Sequence, residues 1–455
     1  MAEPPFDVPD VRAGRTPARP APGLRDVGPD ARGVDLPFDV DEPRLAAAAW
    51  SRVAEPGDEV AGALVAHLGA AGALAWLAEA ARDPARTLRG GALADLGSSV
   101  ATARLLDAVA RWLPRLDRLD PRRELRVLDR LGGTLLCPGD ADWPAGLADL
   151  GTAAPFALWV RGRTELAGLT ARSVAVVGAR ASSSYGEHVA ADLSAGLTDR
   201  GFTVVSGGAY GIDAAAHRGA VAAGGPTVAF LAGGVDRFYP PGNQDLLRRI
   251  ADGAGAVVSE VPPGSAPFKQ RFLARNRLIA AVSRATVVVE AAWRSGALST
   301  ARHATELFRP LGAVPGPVTS ATSTGCHVLL RDGRATCVTD ADEVVELATA
   351  IGEAPAGGAS DPGASSGGVA AGDGREGRAS RERRAAADRA AELGDPARLV
   401  WDALPVRASA SPESICRTAG LSVRETLAGL GLLEQHGLAE PDGARWRRHR
   451  PRRGG

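Results

Sequence analysis

Val176-Val177-Gly178-Ala179-Arg180-Ala181-Ser182-Ser183-Ser184-Tyr185-Gly186 ends a short apolar run and opens a helical one through a loop of Gly, Ser and Arg. Three further segments of like composition follow: Ser206-Gly207-Gly208-Ala209-Tyr210-Gly211-Ile212-Asp213, Phe268-Lys269-Gln270-Arg271-Phe272-Leu273-Ala274-Arg275-Asn276-Arg277 and Glu290-Ala291-Ala292-Trp293-Arg294-Ser295-Gly296-Ala297. Strand-like runs at 174–177, 203–206, 227–231, 256–259, 286–289 and 311–314 alternate with helical segments that start near Gly186, Ala214, Asp245, Gln270 and Ala297. Strand–helix alternation with Val-rich strands predicts an α/β fold with a doubly wound parallel sheet. In such a sheet, ligands bind outside the carboxyl ends of the strands. Helices that start there offer free N–H groups and a partial positive charge, both suited to phosphate. Small residues let a phosphate approach the backbone, and Arg supplies bidentate contacts. A site for a phosphate-bearing ligand is expected along that edge.

Outward from this core, the lead-in 132–163 carries Asp142-Trp143-Pro144 and Leu158-Trp159-Val160 and predicts one extra strand at the sheet edge. Residues 42–130 repeat apolar side chains at helical spacing, as in Leu64, Leu68, Leu105, Val109 and Leu113. They read as a small helical domain of the helix-hairpin-helix or sterile-alpha-motif kind, or equally as a helical cap. The Pro- and Gly-rich 1–41 and the Gly/Ala/Ser segment 351–392 lack periodicity and are expected to be disordered, the second as a linker between the 131–350 core and a C-terminal domain. In 393–447, a helix, a second one opened by Ser411-Pro412, a turn at Gly420, a third helix from Val423 to Gln435 and a strand-turn-strand at 438–446 outline a winged helix-turn-helix. Residues 448–455 form a basic tail, which is more often solvated than bound.

At 455 residues, two or three domains are expected. The net charge is zero, from 53 basic and 53 acidic residues, so any basic surface must be local. Cys137, Cys326, Cys337 and Cys416 form no C-x-x-C pair and fit neither a disulfide framework nor a zinc site. No apolar run reads as a membrane span, and the first residues lack the order of a signal peptide, which together predict a cytoplasmic protein.

The first loop lacks G-x-G-x-x-G, no acidic residue ends the second strand, and no G-x-x-x-x-G-K-[ST] occurs, so neither a hydride-transfer enzyme nor a P-loop motor is expected. Arg180 stands where a phosphate fork would sit; its alternative is a salt bridge to a neighbouring loop. Asp213 and His217 lie four apart on one helix. They read as a helix cap and a histidine bonded to a nearby loop rather than as an acid–base pair. Glu260 and Glu290 end strands, where they could catalyse or bind Arg275 or Arg277. Arg271, Arg275 and Arg277 with Phe268 and Phe272 alternate charge and ring, as single-stranded nucleic acid binding does; otherwise Phe272 is core and the arginines are a solvated face. Arg294-Ser295-Gly296 is a second anion cradle, facing the first loop if the sheet is doubly wound.

Taken together, several motifs resemble the DNA-processing protein A family, also called Smf. They are Val177-Gly178-Ala179-Arg180 through Tyr185-Gly186, Ser206-Gly207 through Gly211-Ile212-Asp213 with His217, Gly233-Gly234-Val235-Asp236 with Tyr239-Pro240 and Asn243, Arg275-Asn276-Arg277, and Glu290-Ala291 with Ser295-Gly296. The resemblance runs from about Trp143 to Val345. It implies a Rossmann-like core that binds single-stranded DNA in a basic pocket, a homodimer, and loading of the RecA recombinase onto DNA during natural transformation. Tyr210 departs from the pattern, since many members are basic there. Phe308-Arg309-Pro310 and Gly325-Cys326-His327 depart as well. The resulting nucleic-acid-binding candidates are Gly178, Arg180, Ser183, Ser206, Gly207, Gly208, Tyr210, Gly211, Arg271, Arg275, Asn276, Arg277, Ser295 and Gly296. No catalytic residue, metal or cofactor is expected. The alternative is a nucleotide-binding enzyme such as a phosphoribohydrolase of lysine-decarboxylase-like fold, although the Pro-Gly-Gly-x-Gly-Thr-x-x-Glu loop of those enzymes is missing.

Overall fold

The computed structural model describes residues 36, 38–83, 102–293, 295–349, 389, 393–404 and 409–449. The expectations for 1–35, 351–388 and 450–455 lie outside the described residues. The chain divides into two compact units, Met1–Glu353 and Ala354–Gly455.

In the first unit the strands are β1 (Gly133–Leu136), β2 (Leu158–Gly162), β3 (Ser173–Val177), β4 (Thr203–Ser206), β5 (Thr227–Leu231), β6 (Ala256–Ser259), β7 (Ala285–Val288), β8 (Leu311–Ala313) and β9 (Thr336–Cys337). They form one sheet in the order β1-β2-β6-β5-β4-β3-β7-β8-β9. From β6 to β9 all pairs are parallel, while β1–β2 and β2–β6 are antiparallel. The sheet is thus mostly parallel, and the lead-in supplies two edge strands where one was expected. The chain steps outward from β3 through β4 and β5 to β6, then returns to place β7 on the other side of β3. The winding direction therefore reverses between β3 and β7.

Helices cover both faces because the strands are apolar on both sides. Among the described residues, the N-terminal layer holds the helices α1 (Pro43–Val53), α2 (Glu59–Arg82), α3 (Thr102–Leu116) and α4 (Pro121–Arg130). On one face of the sheet, α5 (Leu166–Ala171) packs with α9, α10 and α11, whose ranges are Lys269–Val282, Ala297–Glu306 and Thr324–Arg331; Val177, Phe230 and Val258 meet Leu278, Ala301 and Leu329 there. On the other face, α6 (Ser184–Asp199), α7 (Ile212–Ala222) and α12 (Ala341–Ala348) cover Val174, Val176 and Val204, and α8 (Gln244–Asp252) covers Leu231 and Val257. The stretch α11–β9–α12 went unread, since its helices have eight residues each and its strand two.

The helical layer has its own core around Trp50, Leu64, Leu74, Leu77 and Trp112, with the rings of Trp50 and Trp112 edge-on at 5.6 Å. It also shares a cluster with the sheet edge through Ala47, Leu128, Leu135 and Trp159. Trp159 Nε1 donates to Ser51 Oγ at 3.1 Å, and Arg52 bonds Glu124 at 2.6 Å and the Pro263 carbonyl at 2.8 Å. Contrary to the expectation that no segment is long and apolar enough to cross a membrane, α2 meets that test by length and composition. Its backbone breaks at Gly69 (φ 73°), and Leu64, Leu74 and Leu77 are buried in the layer, as in a core helix.

The second unit contains α13 (Asp395–Ala403), α14 (Pro412–Ala419), α15 (Val423–Gln435) and an antiparallel pair, β10 (Ala439–Asp442) and β11 (Arg445–Arg448). Val400, Trp401, Ile415, Leu430 and Leu433 form its core. Ser411 caps α14 with Pro412 at its first position, and Ser422 with Glu425 makes a capping box on α15.

Candidate nucleic-acid interface

The loops after β3, β4 and β7 meet at the carboxyl ends of the strands, and backbone bonds knit them together. Ala179 N donates to Glu290 O at 2.7 Å, and Ile212 N donates to Ala179 O at 3.2 Å. Gly211 is required at this junction: its φ is +75°, and an added Cβ would overlap the carbonyls of Ala179 and Arg180. A cavity of about 520 Å³ opens at the β3/β7 reversal. Gly178, Ala179, Arg180 and Ala181 line one wall, Phe272, Leu273, Arg275 and Asn276 of α9 a second, and Ser295, Gly296 and Thr300 a third. Asn276 Nδ2 donates to Gly296 O at 3.2 Å, linking α9 to the start of α10. Arg294 lies outside the described residues.

Arg180 is exposed at the cavity mouth, with its guanidinium carbon 4.6 Å from the centre of the Phe272 ring. It makes no hydrogen bond or ion pair among the described residues, so the salt-bridged alternative does not hold within them. Its charge faces solvent and is oriented by the ring.

Arg275 differs. It is buried, and its guanidinium donates to Gly207 O at 2.6 Å and, through a shorter bond, to Phe230 O. No Cβ fits at Gly207 because that guanidinium lies against it. Burial lowers the Arg275 pKa to about 10, which leaves the cation charged, and Asp213 opposes the shift. Burial raises the Asp213 carboxyl, while Arg275 and the N–H groups of Ala209 and Gly178 pull it down. Arg275 is therefore a buried cation in the cavity wall that pins the loop after β4.

Several sequence candidates turn away from the cavity. Arg277 forms a buried bidentate pair with Glu260, at 2.7 and 2.5 Å, and donates to Ala153 O at 2.9 Å. Arg271 bonds Glu55 of the helical layer at 2.9 Å and the Ala266 carbonyl at 3.0 Å, and its guanidinium carbon lies 4.5 Å from the centre of the Phe268 ring. Burial opposes ionisation of Glu55, but Arg271 and Arg115 outweigh it and hold the carboxyl below its ordinary range. Ser206 is buried and donates to Val176 O at 2.7 Å. Ser183 caps α6, and its N–H and hydroxyl both donate to Glu290, at 2.9 and 2.5 Å. Thr322 donates to the same carboxylate at 3.0 Å. Glu290 thus binds Ser183 rather than an arginine, and a carboxylate of the chain itself occupies the α6 N-terminus that was expected to receive a phosphate. Gly208, at φ +66°, shapes the loop, and its carbonyl accepts from Asn243 at 3.0 Å.

His217 bonds the strand residue Thr227 (Nδ1 to Oγ1, 2.7 Å) rather than a loop. Because Thr227 donates its only proton to Val204 O at 2.7 Å, His217 Nδ1 must carry the hydrogen. Burial pushes its pKa down to about 3, so the ring is neutral and the acid–base pair with Asp213 is not formed.

A small groove adjoins the cavity, lined by Arg180, Tyr210, Arg237, Tyr239, Pro240 and Phe272. Arg237 and Tyr239 were missed as site residues; a cation beside the Tyr-Pro turn that follows β5 was the available signal.

A doubly wound sheet with a cation-edged cavity at its winding reversal defines an α/β protein that can hold an anionic ligand at the carboxyl edge of its strands. Comparison with known proteins narrows this class. The chain belongs to the DNA recombination-mediator protein A family, whose model matches residues 134–349. It is 46% identical to the DNA processing protein DprA of Mycobacterium tuberculosis H37Rv over 334 residues, covering 71% of this chain and 79% of that one. Protein Smf of Escherichia coli K12 is 40% identical over 213 residues, covering 46% of this chain and 56% of its own. The solved DNA processing protein A of Streptococcus pneumoniae is 32% identical and has a TM-score of 0.48, covering 56% of this chain and 90% of that one.

Proposed function

We propose that the protein binds single-stranded DNA at the carboxyl edge of its sheet and acts as a recombination mediator, not as an enzyme. The observation that carries this reading is Arg180: an uncommitted guanidinium, oriented by Phe272, at the mouth of a cavity walled by Gly178, Asn276, Ser295 and Gly296. Charge to track a backbone and a ring to stack on are the two requirements of sequence-tolerant single-strand binding. Family membership supports the mediator role. On the same reading the protein is a cytoplasmic homodimer that protects incoming DNA and loads RecA recombinase onto it during natural transformation. The second unit is read as a winged helix, and the N-terminal layer as a small helical domain of the sterile-alpha-motif or helix-hairpin-helix kind. Both strand-end carboxylates, Glu260 and Glu290, are committed to internal partners, which supports a non-catalytic site.

The test is fluorescence anisotropy with a labelled oligothymidylate and a duplex of equal length. Single-strand preference is expected, with affinity falling steeply as salt rises because phosphate contacts release counterions. A second assay follows RecA filament formation on strands coated with single-strand-binding protein, which the mediator should accelerate. Salt-independent binding, preference for one duplex sequence, or release of base from a nucleoside monophosphate would overturn the reading.

A further inference from the structure

We propose that the small groove beside the main cavity is a second subsite on the same strand, taking the phosphate of the neighbouring nucleotide between Arg180 and Arg237 and its base against Tyr210 or Tyr239. This rests on the single-strand reading of the main cavity and adds to it a second phosphate position and two residues, Arg237 and Tyr239.

The two cavities share a partition. Arg180 and Phe272 line both, so a strand leaving the main cavity over Arg180 enters the groove without crossing bare surface. The groove encloses only about 50 Å³, against about 520 Å³ next door, which is too little to engulf a base. What fits is a backbone phosphate, with the base left outside on the rim. The rim supplies rings: Tyr210 is 48% exposed and Tyr239 43% exposed. Both are held in place. The Tyr210 hydroxyl accepts from Gly242 N at 3.2 Å, and the Tyr239 ring lies 6.0 Å from that of Phe272. Rings fixed at a groove edge are stacking platforms for any base.

Charge singles out Arg237. Around it, Arg271 is taken up by Glu55, Arg277 by Glu260 and Arg275 by backbone carbonyls. Arg237 is exposed, and its side chain makes no hydrogen bond or ion pair among the described residues. Two uncommitted guanidiniums in one groove repel each other until an anion lies between them, and a phosphodiester is the anion that also brings a base to the tyrosines.

The experiment uses the full chain and a labelled oligothymidylate of about 12 nucleotides, within the usual range of single-strand site sizes. Anisotropy is measured across a salt series for the wild type, Arg237→Ala, Arg237→Lys and, as reference, Arg180→Ala, each checked by thermal melt. Arg237→Ala is expected to weaken binding about tenfold, the low end for a charge-assisted contact. It should also reduce the slope of log affinity against log salt by about 0.7, the value of one single-strand phosphate. Arg237→Lys should restore the slope, which a packing role would not do. Wild-type affinity and slope in Arg237→Ala, with binding lost in Arg180→Ala, would dismiss the groove and leave the main cavity standing. Wild-type binding in both alanine variants would remove the single-strand reading itself and this inference with it.

Discussion

Arg180 and Arg275 are both cations of the cavity, and the fold gives them opposite work. Arg180→Ala removes an exposed guanidinium with no internal partner, so the melting temperature should hold. Affinity for an oligothymidylate should fall by about 1.5–3 kcal/mol, the size of a charge-assisted contact, as read by anisotropy. Arg275→Ala is a different experiment. It strands the carbonyls of Gly207 and Phe230 and leaves Asp213 buried without its counter-charge. The expected result is a loss of about 3–5 kcal/mol of stability in a denaturant titration, with binding lost as a consequence. His217 supplies one part of the pH dependence. Its pKa is about 3 in the fold, below its ordinary value of 6.5, so folding costs nothing extra where the ring is neutral in both states. Below 6.5 the unfolded chain takes up a proton that the fold refuses. The histidine's own contribution should therefore fall by about 1.4 kcal/mol per pH unit as pH drops from 6.5 toward 3. Glu124, whose carboxyl burial raises from 4.5 to about 7, acts in the opposite sense between those values, so the histidine's part is read as the difference between wild type and His217→Asn in melts between pH 7 and pH 4.

Among the elements, α9 carries the site and is anchored at three points along its length. Arg271 reaches Glu55, Arg275 reaches the loop after β4 and the strand β5, and Arg277 reaches Glu260 and Ala153. A basic helix facing solvent and a basic helix pinned on all sides have the same sequence signature, and only the partners tell them apart. Arg277→Ala would leave Glu260 charged and buried, so it should destabilise the protein by about 3–5 kcal/mol. Single-strand affinity, measured well below the variant's melting temperature, should stay at the wild-type value. A loss of affinity without a loss of stability would show that Arg277 contacts the ligand. The start of α6 teaches the same lesson: Glu290 fills the place a bound phosphate would take, so Ser183 stabilises the loop rather than gripping the strand.

For the whole molecule, the chain divides into two compact units, Met1–Glu353 and Ala354–Gly455, and each has hydrophobic core of its own, as around Val177 and Phe230 in the first and around Val400 and Leu430 in the second. Truncation after Gly352 should therefore leave a first unit that melts cooperatively at close to the full-length temperature and still shifts an oligothymidylate in a gel. Unfolding of the truncated chain, or complete loss of single-strand binding, would mean that the second unit is integral to the first.

The strands and the reversal of winding were legible in the sequence because Val-rich runs and the glycine loops that end them are local signals, and β4, β5 and β6 begin and end where those signals do. The helices of the second unit were legible for the same reason, through the capping chemistry of Ser411 and Ser422. The antiparallel edge of β1 and β2 was only half read, since strand direction depends on a partner distant in the chain. Which arginines face a ligand was not readable at all. Arg180, Arg237, Arg271, Arg275 and Arg277 are chemically identical, and what separates them is the presence or absence of Glu55, Glu260 and the Gly207 and Phe230 carbonyls at hydrogen-bonding distance. Those partners lie far away in sequence and meet the arginines only when the sheet and its helical layer close. Residue type thus determined that cations stand at the edge of this sheet, and tertiary contacts, by satisfying some charges and leaving others open, decided which of them are free to bind.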